Sequence, residues 1–434
     1  MASLAEGFQE QTALLRRSPA LRKLLLSRLA SECGSWMAAI AMSLAVFDLT
    51  HSTVWVSLLM IGSFLPQIFG GALGGPLIDR VLRRRLLVGS DLINAGLFLL
   101  LALLPQTPTA LVAVALASGC ASALFRPTVY AALPNMVDRE SLPEANSLFG
   151  AAESFGNFLA PALGGLLAAL FGVRLVYVVN AGSFLLSALL LIGIAAASFQ
   201  AELKLKGIGH WAEIRSGLRA IREHADVWAV ACTWIPLASF LSLINVTEVV
   251  LVKQSMRGGD FGYGLLVSLA LGGVVVGSIL SSSLIRARGP RPVYLLSFVG
   301  LSLGLLGFSM SPSVWTAALP AALLGIANGI ALPAIGNMIQ GSLPDDLRGR
   351  VFATMGSAIM TATVIGMAGA GVLSVAVGTR GTFALSALAA LVAGLAALLL
   401  FRASPSAEIA LRVEADPSPD DEISGLLPST PSAN

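Results

Sequence analysis

The chain has 434 residues, of which 56% are hydrophobic and 12% charged, and its net charge is +3. A soluble domain carries about 25% charged residues, so the composition excludes an ordinary water-soluble fold and points to the bilayer. It also excludes nucleic-acid binding, because the basic residues fall at the ends of apolar runs and form no basic surface of their own.

Residues 1–23 form a cytoplasmic N-terminal segment in which Arg16, Arg17, Arg22 and Lys23 precede the first apolar run. No convincing cleavage site follows, so that run is expected to stay as a membrane helix and not to leave as a signal peptide. A spanning helix needs about 20 mostly apolar residues. Six such runs follow one another at 24–48, 53–78, 86–105, 109–133, 146–171 and 175–198.

Residues 199–226 are polar, and Ile214, Leu218 and Ile221 recur there at helical spacing between charged residues. This predicts an amphipathic linker on the cytoplasmic membrane surface. Six further runs lie at 227–252, 262–285, 292–310, 313–338, 351–375 and 380–402. The tail, 403–434, is rich in Pro, Ser and Asp; its apolar content is too low to offset the entropy of ordering, and disorder is expected. Cys33, Cys120 and Cys232 lie far apart in apolar stretches without metal-ligand spacing and read as packing residues, so no metal site is expected.

The reading is therefore an all-α membrane protein with twelve transmembrane helices, in a bundle over 24–198 and another over 227–402. Most of the 27 Lys and Arg residues fall on one side if both termini are cytoplasmic, whereas Arg174, Lys253, Arg257 and Arg380 fall outside. The two bundles also share landmarks. Arg80 and Arg286 end the second helix of each, Pro127 and Pro333 interrupt the fourth, and Gly172/Gly378 and Arg174/Arg380 form the turn before the sixth. Every pair is separated by 206 positions, as 286 is from 80. A constant offset over four matching landmarks points to tandem duplication and two parallel six-helix repeats.

Two halves related by an axis along the membrane normal is the layout of major facilitator transporters. The residues carry the resemblance further. GPLIDRVLRRR (Gly75–Arg85) resembles that superfamily's signature loop between helices two and three, with Leu82 in place of the usual second glycine. GNFLAPALGG (Gly156–Gly165) resembles the antiporter motif of its exporters, with Ala160 as the departure. Together with LTHS (Leu49–Ser52), FRP (Phe125–Pro127), LPEAN (Leu142–Asn146) and LPDDLRGR (Leu343–Arg350), these segments resemble the branch containing macrolide-efflux and enterobactin-export proteins. The resemblance implies a multi-pass protein of the bacterial plasma (inner) membrane that acts as a monomer on small molecules.

It also implies a gate. A carboxylate at the C-terminal end of a helix opposes that helix's dipole, so Asp79 needs stabilisation from elsewhere. In the superfamily this aspartate lies beside the start of helix eleven, which makes Asp79, Arg80, Arg83, Arg84, Asp345 and Arg348 gate candidates. Arg83 and Arg84 serve equally as topology anchors. The matching loop of the second half puts Ile285 where Asp79 stands, which leaves the gate one-sided. In the motif of helix five, Gly156, Gly164 and Gly165 let backbones approach closely and Pro161 removes a hydrogen bond; the stretch serves either export or plain packing.

Ionisable groups within a membrane are costly and usually line the bundle interior. Glu32, Asp91, Arg126 and Glu153 lie at similar depth in helices one, three, four and five and are expected to meet. Three carboxylates around one arginine cannot all stay ionised cheaply. One either carries a transported proton or the group is a fixed salt bridge. Trp36, Asn245 and Glu248 are candidates for a substrate cavity. No phosphate-binding G-x-x-x-x-G-K-[ST] loop occurs, and no cofactor is expected; the proton gradient is left as the energy source. The expected activity is export of apolar or amphiphilic molecules by proton antiport, of the drug-efflux kind. The rival is a dedicated exporter of a siderophore or other metabolite. A receptor or an enzyme ranks behind both, since His51, His210 and His224 all lie outside the runs and no catalytic constellation is present.

Overall fold

The computed structural model describes residues 11, 13–80, 82–199 and 210–403; the side chains of residues 69–80, 139, 197, 210–214, 345 and 346 fall outside that description. The tail expected to be disordered, 403–434, lies outside the described residues except at its first position.

Local chemistry sets the helix ends. The first helix, α1 (Pro19–Thr50), starts where the Ser18 hydroxyl accepts the Leu21 N–H and Pro19 takes the first position. That is several residues before the first apolar run, because an N-cap and not hydropathy decides the start. The helix stops at His51, whose φ of 50° is left-handed. After α2 (Thr53–Arg80) and α3 (Arg83–Leu103), Thr107 caps α4 (Pro108–Ser122) in the manner of Ser18.

The fourth apolar run divides ahead of Pro127 into α4 and α5 (Phe125–Ala132), as expected of a residue that denies the preceding turn a donor. Pro333 does not do the same: α12 (Val314–Ser342) runs unbroken through it. The carbonyl that Pro333 leaves unpaired is that of Gly329, and it accepts the Ser278 hydroxyl at 3.2 Å from a neighbouring helix. An interhelical bond thus replaces the missing one and the expected interruption disappears.

Between these lie α6 (Leu142–Phe171), α7 (Val173–Ile192), α8 (His210–Glu223), α9 (Ala225–Val250, extended by a π-turn over Leu251–Ser255), α10 (Gly259–Arg288) and α11 (Pro290–Met310). The chain ends in α13 (Asp345–Arg402). At 1.5 Å per residue, 58 unbroken helical residues would extend about 87 Å, nearly three bilayer cores. Gly378 (φ 74°, ψ 165°) breaks it with a non-helical kink. Gly172, 206 positions earlier, joins α6 to α7 in nearly the same conformation (φ 78°, ψ 161°), and only glycine adopts this backbone without strain.

Among the described residues, ten segments are long and apolar enough to cross a bilayer, and Thr53–Ile68 adds a shorter apolar stretch. In one group α1 packs on α6 and α7, α3 on α4 and α7, and α2 on α4. In the other, α9 and α11 pack on α13, while α10 and α11 pack on α12. The groups meet where α6 lies on α10 and α2 on α13. Outward-facing apolar side chains such as Leu103, Leu319 and Val375 are 71–81% exposed, which suits lipid and not water. The amphipathic α8 buries Gly217, Ala220 and Ile221 against α13 and leaves Arg215, Arg219 and Arg222 exposed. The end at which α1 begins is the proximal face below; the opposite end is distal.

Candidate functional site

The proximal parts of α1, α5 and α6 hold four charged side chains in contact. The Arg28 guanidinium bonds Glu32 one turn further along α1 at 2.7 Å and crosses to Glu153 on α6 at 3.0 Å. The second oxygen of Glu153 faces Arg126 of α5 at 3.2 Å. The Trp36 indole N–H donates to Glu32 at 3.2 Å. Ring faces support both cations: Arg28 lies over Phe125 at 5.6 Å and Arg126 over Tyr130 at 5.7 Å. Arg28, Glu32 and Glu153 are 14–17% exposed, whereas Arg126 is 65% exposed. Glu32 and Glu153 lie roughly 17 to 20 Å along their helices from the proximal starts.

The small residues of α6 make this meeting feasible. A Cβ on Gly156, one turn above Glu153, would stand 3.4 Å from both Cys33 Sγ and Glu32 Cγ. One on Gly164 would stand 2.8 Å from Met37 Cα, and one on Gly165 would stand 2.6 Å from the Asp260 carbonyl on α10. The motif therefore lies against α1 through Gly156 and Gly164 and against the other group of helices through Gly165. Beside Pro161, the Ala162 N–H donates to the Ser268 hydroxyl of α10 at 2.8 Å.

Two expectations need correcting. Asp91 does not join the cluster: it is fully buried between α3 and α7, where one oxygen accepts the Ser187 hydroxyl at 2.5 Å. Similar depth brought it to the right level, but its side of α3 faces α7, and its carboxylate forms no ion pair with either arginine of the cluster. The cluster also has two arginines and not one, because Arg28, which the charge count placed at the helix end, lies within it. Its spacing of four from Glu32 was a legible signal.

The remaining candidates are dispersed. Arg83 donates to the Ala131 carbonyl at 2.8 Å and to that of Phe199 at 3.2 Å, and Arg84 donates to the Ile192 carbonyl. Lys23 similarly bonds the Gly193 carbonyl at 2.6 Å. Arg84 and Lys23 thus compensate the C-terminal end of α7. Arg348 donates to the Leu343 carbonyl at the start of α13. The side chains of Asp79, Arg80 and Asp345 lie outside the described residues. Asn245 is exposed and Glu248 half-buried on α9, far along that helix from the proximal cluster.

Sequence reasoning missed a second ionic site at the distal face. Lys253, in the π-turn after α9, bonds Asp48 of α1 at 2.5 Å and Asp260 of α10 at 2.8 Å. It ties the two groups of helices together, and nothing in the linear spacing of 48, 253 and 260 announces it. Close backbone approaches add to this closure, at Gly264 against the Pro161 carbonyl and at Gly371 against Val54.

This architecture agrees with comparisons to known proteins. Residues 12–425 match the family model of transmembrane secretion effectors. Similar curated proteins include the uncharacterized MFS-type transporter YfiS of Bacillus subtilis, 27% identical over 89% of this chain and 94% of that protein. The multidrug efflux pump Tap of Mycolicibacterium fortuitum is 26% identical over 89% of this chain and 97% of its own. The enterobactin exporter EntS of Escherichia coli is 27% identical over 82% and 85%. Among solved structures, the nucleoside transporter NupG superposes with a TM-score of 0.71 at 14% identity, covering 88% of this chain and all of that one.

Proposed function

Because the chain belongs to the transmembrane secretion effectors of the major facilitator superfamily, and is thus a multi-pass membrane transporter of small molecules and not an enzyme, we propose that it exports apolar or amphiphilic compounds by alternating access in exchange for protons. The observation that carries the reading is Glu153 held between Arg28 and Arg126 inside the membrane, with Glu32 sharing Arg28. A proton on Glu153 leaves Arg126 without a carboxylate and Arg28 with Glu32 alone, so the cluster gains an uncompensated positive charge where charge is costly. A proton arriving at Glu153 therefore loosens the bridge between α1, α5 and α6.

We assign the proximal face to the cytoplasm, since Arg16, Arg17, Arg22, Lys23, Arg83–Arg85 and the basic residues of α8 all fall there. Counting α2 as a span and dividing α13 at Gly378 gives twelve crossings, and the matched turns at Gly172 and Gly378 support two repeats of six within a monomer. In this reading the distal bonds of Lys253 belong to an inward-facing state, and Asp79 with Arg80 closes the proximal side in the opposite state. A multidrug pump and an enterobactin exporter both stand among the similar proteins. The exposed Arg126 favours keeping an anionic metabolite as the second reading.

The test uses inside-out membrane vesicles carrying a pH gradient. Substrate-dependent collapse of the gradient is expected to disappear in Glu32→Gln or Glu153→Gln with the protein still inserted. An unchanged response in both variants refutes the coupling assignment.

A further inference from the structure

One groove on the described surface does not belong to the ionic cluster. It measures about 610 Å³ and lies at the proximal ends of α3 and α7, with Arg83, Arg84 and Arg85 at its rim and Gly89, Leu92 and Phe199 among the residues beneath. Leu92 and Ile192 at its border are nearly half exposed, and Ile93 and Leu189 continue the same apolar wall. The groove is thus bordered by exposed apolar side chains that suit lipid.

Charge and shape select the occupant. Among the described residues lining the groove there are three cations and no anion. Arg83 and Arg84 are held in place by the carbonyls of Ala131, Phe199 and Ile192, which orders their guanidinium groups and leaves further N–H donors on each. Arg85 is exposed. Arginine forks match phosphate geometry. Below them, a Cβ on Gly89 would meet no atom within 4 Å, so the floor is open space. Leu92 lies about 13 Å along α3 from its first residue, further into the hydrocarbon layer than the arginines. A polar rim that binds anions above an apolar trough running into the bilayer fits a molecule with a phosphate head and an acyl tail. The volume lies in the range of small-ligand sites.

We propose that this groove binds an anionic phospholipid of the proximal leaflet, its phosphodiester at Arg83–Arg85 and one acyl chain along Gly89 and Leu92. A lipid held there joins the end of α7 to the start of α3, next to the signature loop. The inference rests on membrane embedding and not on the exporter reading, so the two stand or fall separately.

The test measures binding to the purified full chain in neutral detergent, by native mass spectrometry and by the shift in thermal unfolding. The probes are short-chain phosphatidylglycerol, phosphatidylcholine of equal chain length, and glycerol 3-phosphate, which has the anionic head without chains. Phosphatidylglycerol is expected to bind best, and Arg85→Gln to weaken it about fivefold, the worth of one arginine near an anionic lipid. Gly89→Phe, which fills the trough without changing charge, is expected to abolish binding. Equal binding of the two lipids overturns the proposal, as does glycerol 3-phosphate binding as tightly as the lipid, which marks a free-phosphate site. If Gly89→Phe does not fold, Arg85→Gln decides alone, and unchanged affinity in that variant also overturns it.

Discussion

Gly165 of α6 and Gly264 of α10 meet backbone to backbone across the two groups of helices. A Cβ added to Gly264 would stand 2.4 Å from the Pro161 carbonyl and 3.0 Å from Gly165 Cα. Neither neighbour is a flexible side-chain tip, so relief requires moving a helix. Overpacking of this kind costs about 1–3 kcal/mol. Gly264→Val is expected to insert normally and to lose most transport, measured as substrate efflux from cells against membrane abundance by immunoblot. Wild-type efflux would show that α6 and α10 do not need this contact.

The two arginines of the cluster are unequal. Arg28 is 15% exposed and serves two carboxylates, whereas Arg126 is 65% exposed and serves one. Removing one partner from a buried pair costs about 3–5 kcal/mol. Arg28→Met is therefore expected to lower the thermal unfolding midpoint in detergent by several degrees more than Arg126→Met. Equal midpoints for the two variants would contradict the geometry.

Lys253 holds Asp48 and Asp260 together at the distal face. Lys253→Met leaves two facing carboxylates without their cation, so the distal ends of α1 and α10 are expected to separate. Spin labels at the exposed Leu49 and Phe261, in a background without the three cysteines, report that distance by electron resonance. The distribution should broaden toward longer distances in the variant, and an unaltered distribution counts against a latch.

Asp91 is partnered by Ser187 and stands apart from Glu153. Asp91→Asn is expected to keep substrate-dependent collapse of the pH gradient in inside-out vesicles while lowering stability. Loss of coupling in this variant, with Glu153→Gln unaffected, would move the proton site to α3.

The sequence by itself determined the elements that depend on neighbours along the chain. Apolar run length marked segments apolar enough to cross a membrane, Pro127 marked a real break, and Gly172 and Gly378 mark the two matched glycine turns, because spacing and backbone conformation are local properties. It also brought Glu32, Glu153 and Arg126 into one site, since depth follows from counting residues along a helix. Only the tertiary structure decided which charges touch. Asp91 leaves the cluster because each helix's rotation about its axis is set by packing against neighbours, and depth alone does not record rotation. Ser278 rescues the carbonyl freed by Pro333, and Lys253 bridges residues 205 positions away, for the same reason: such partners are chosen by the approach of distant helices.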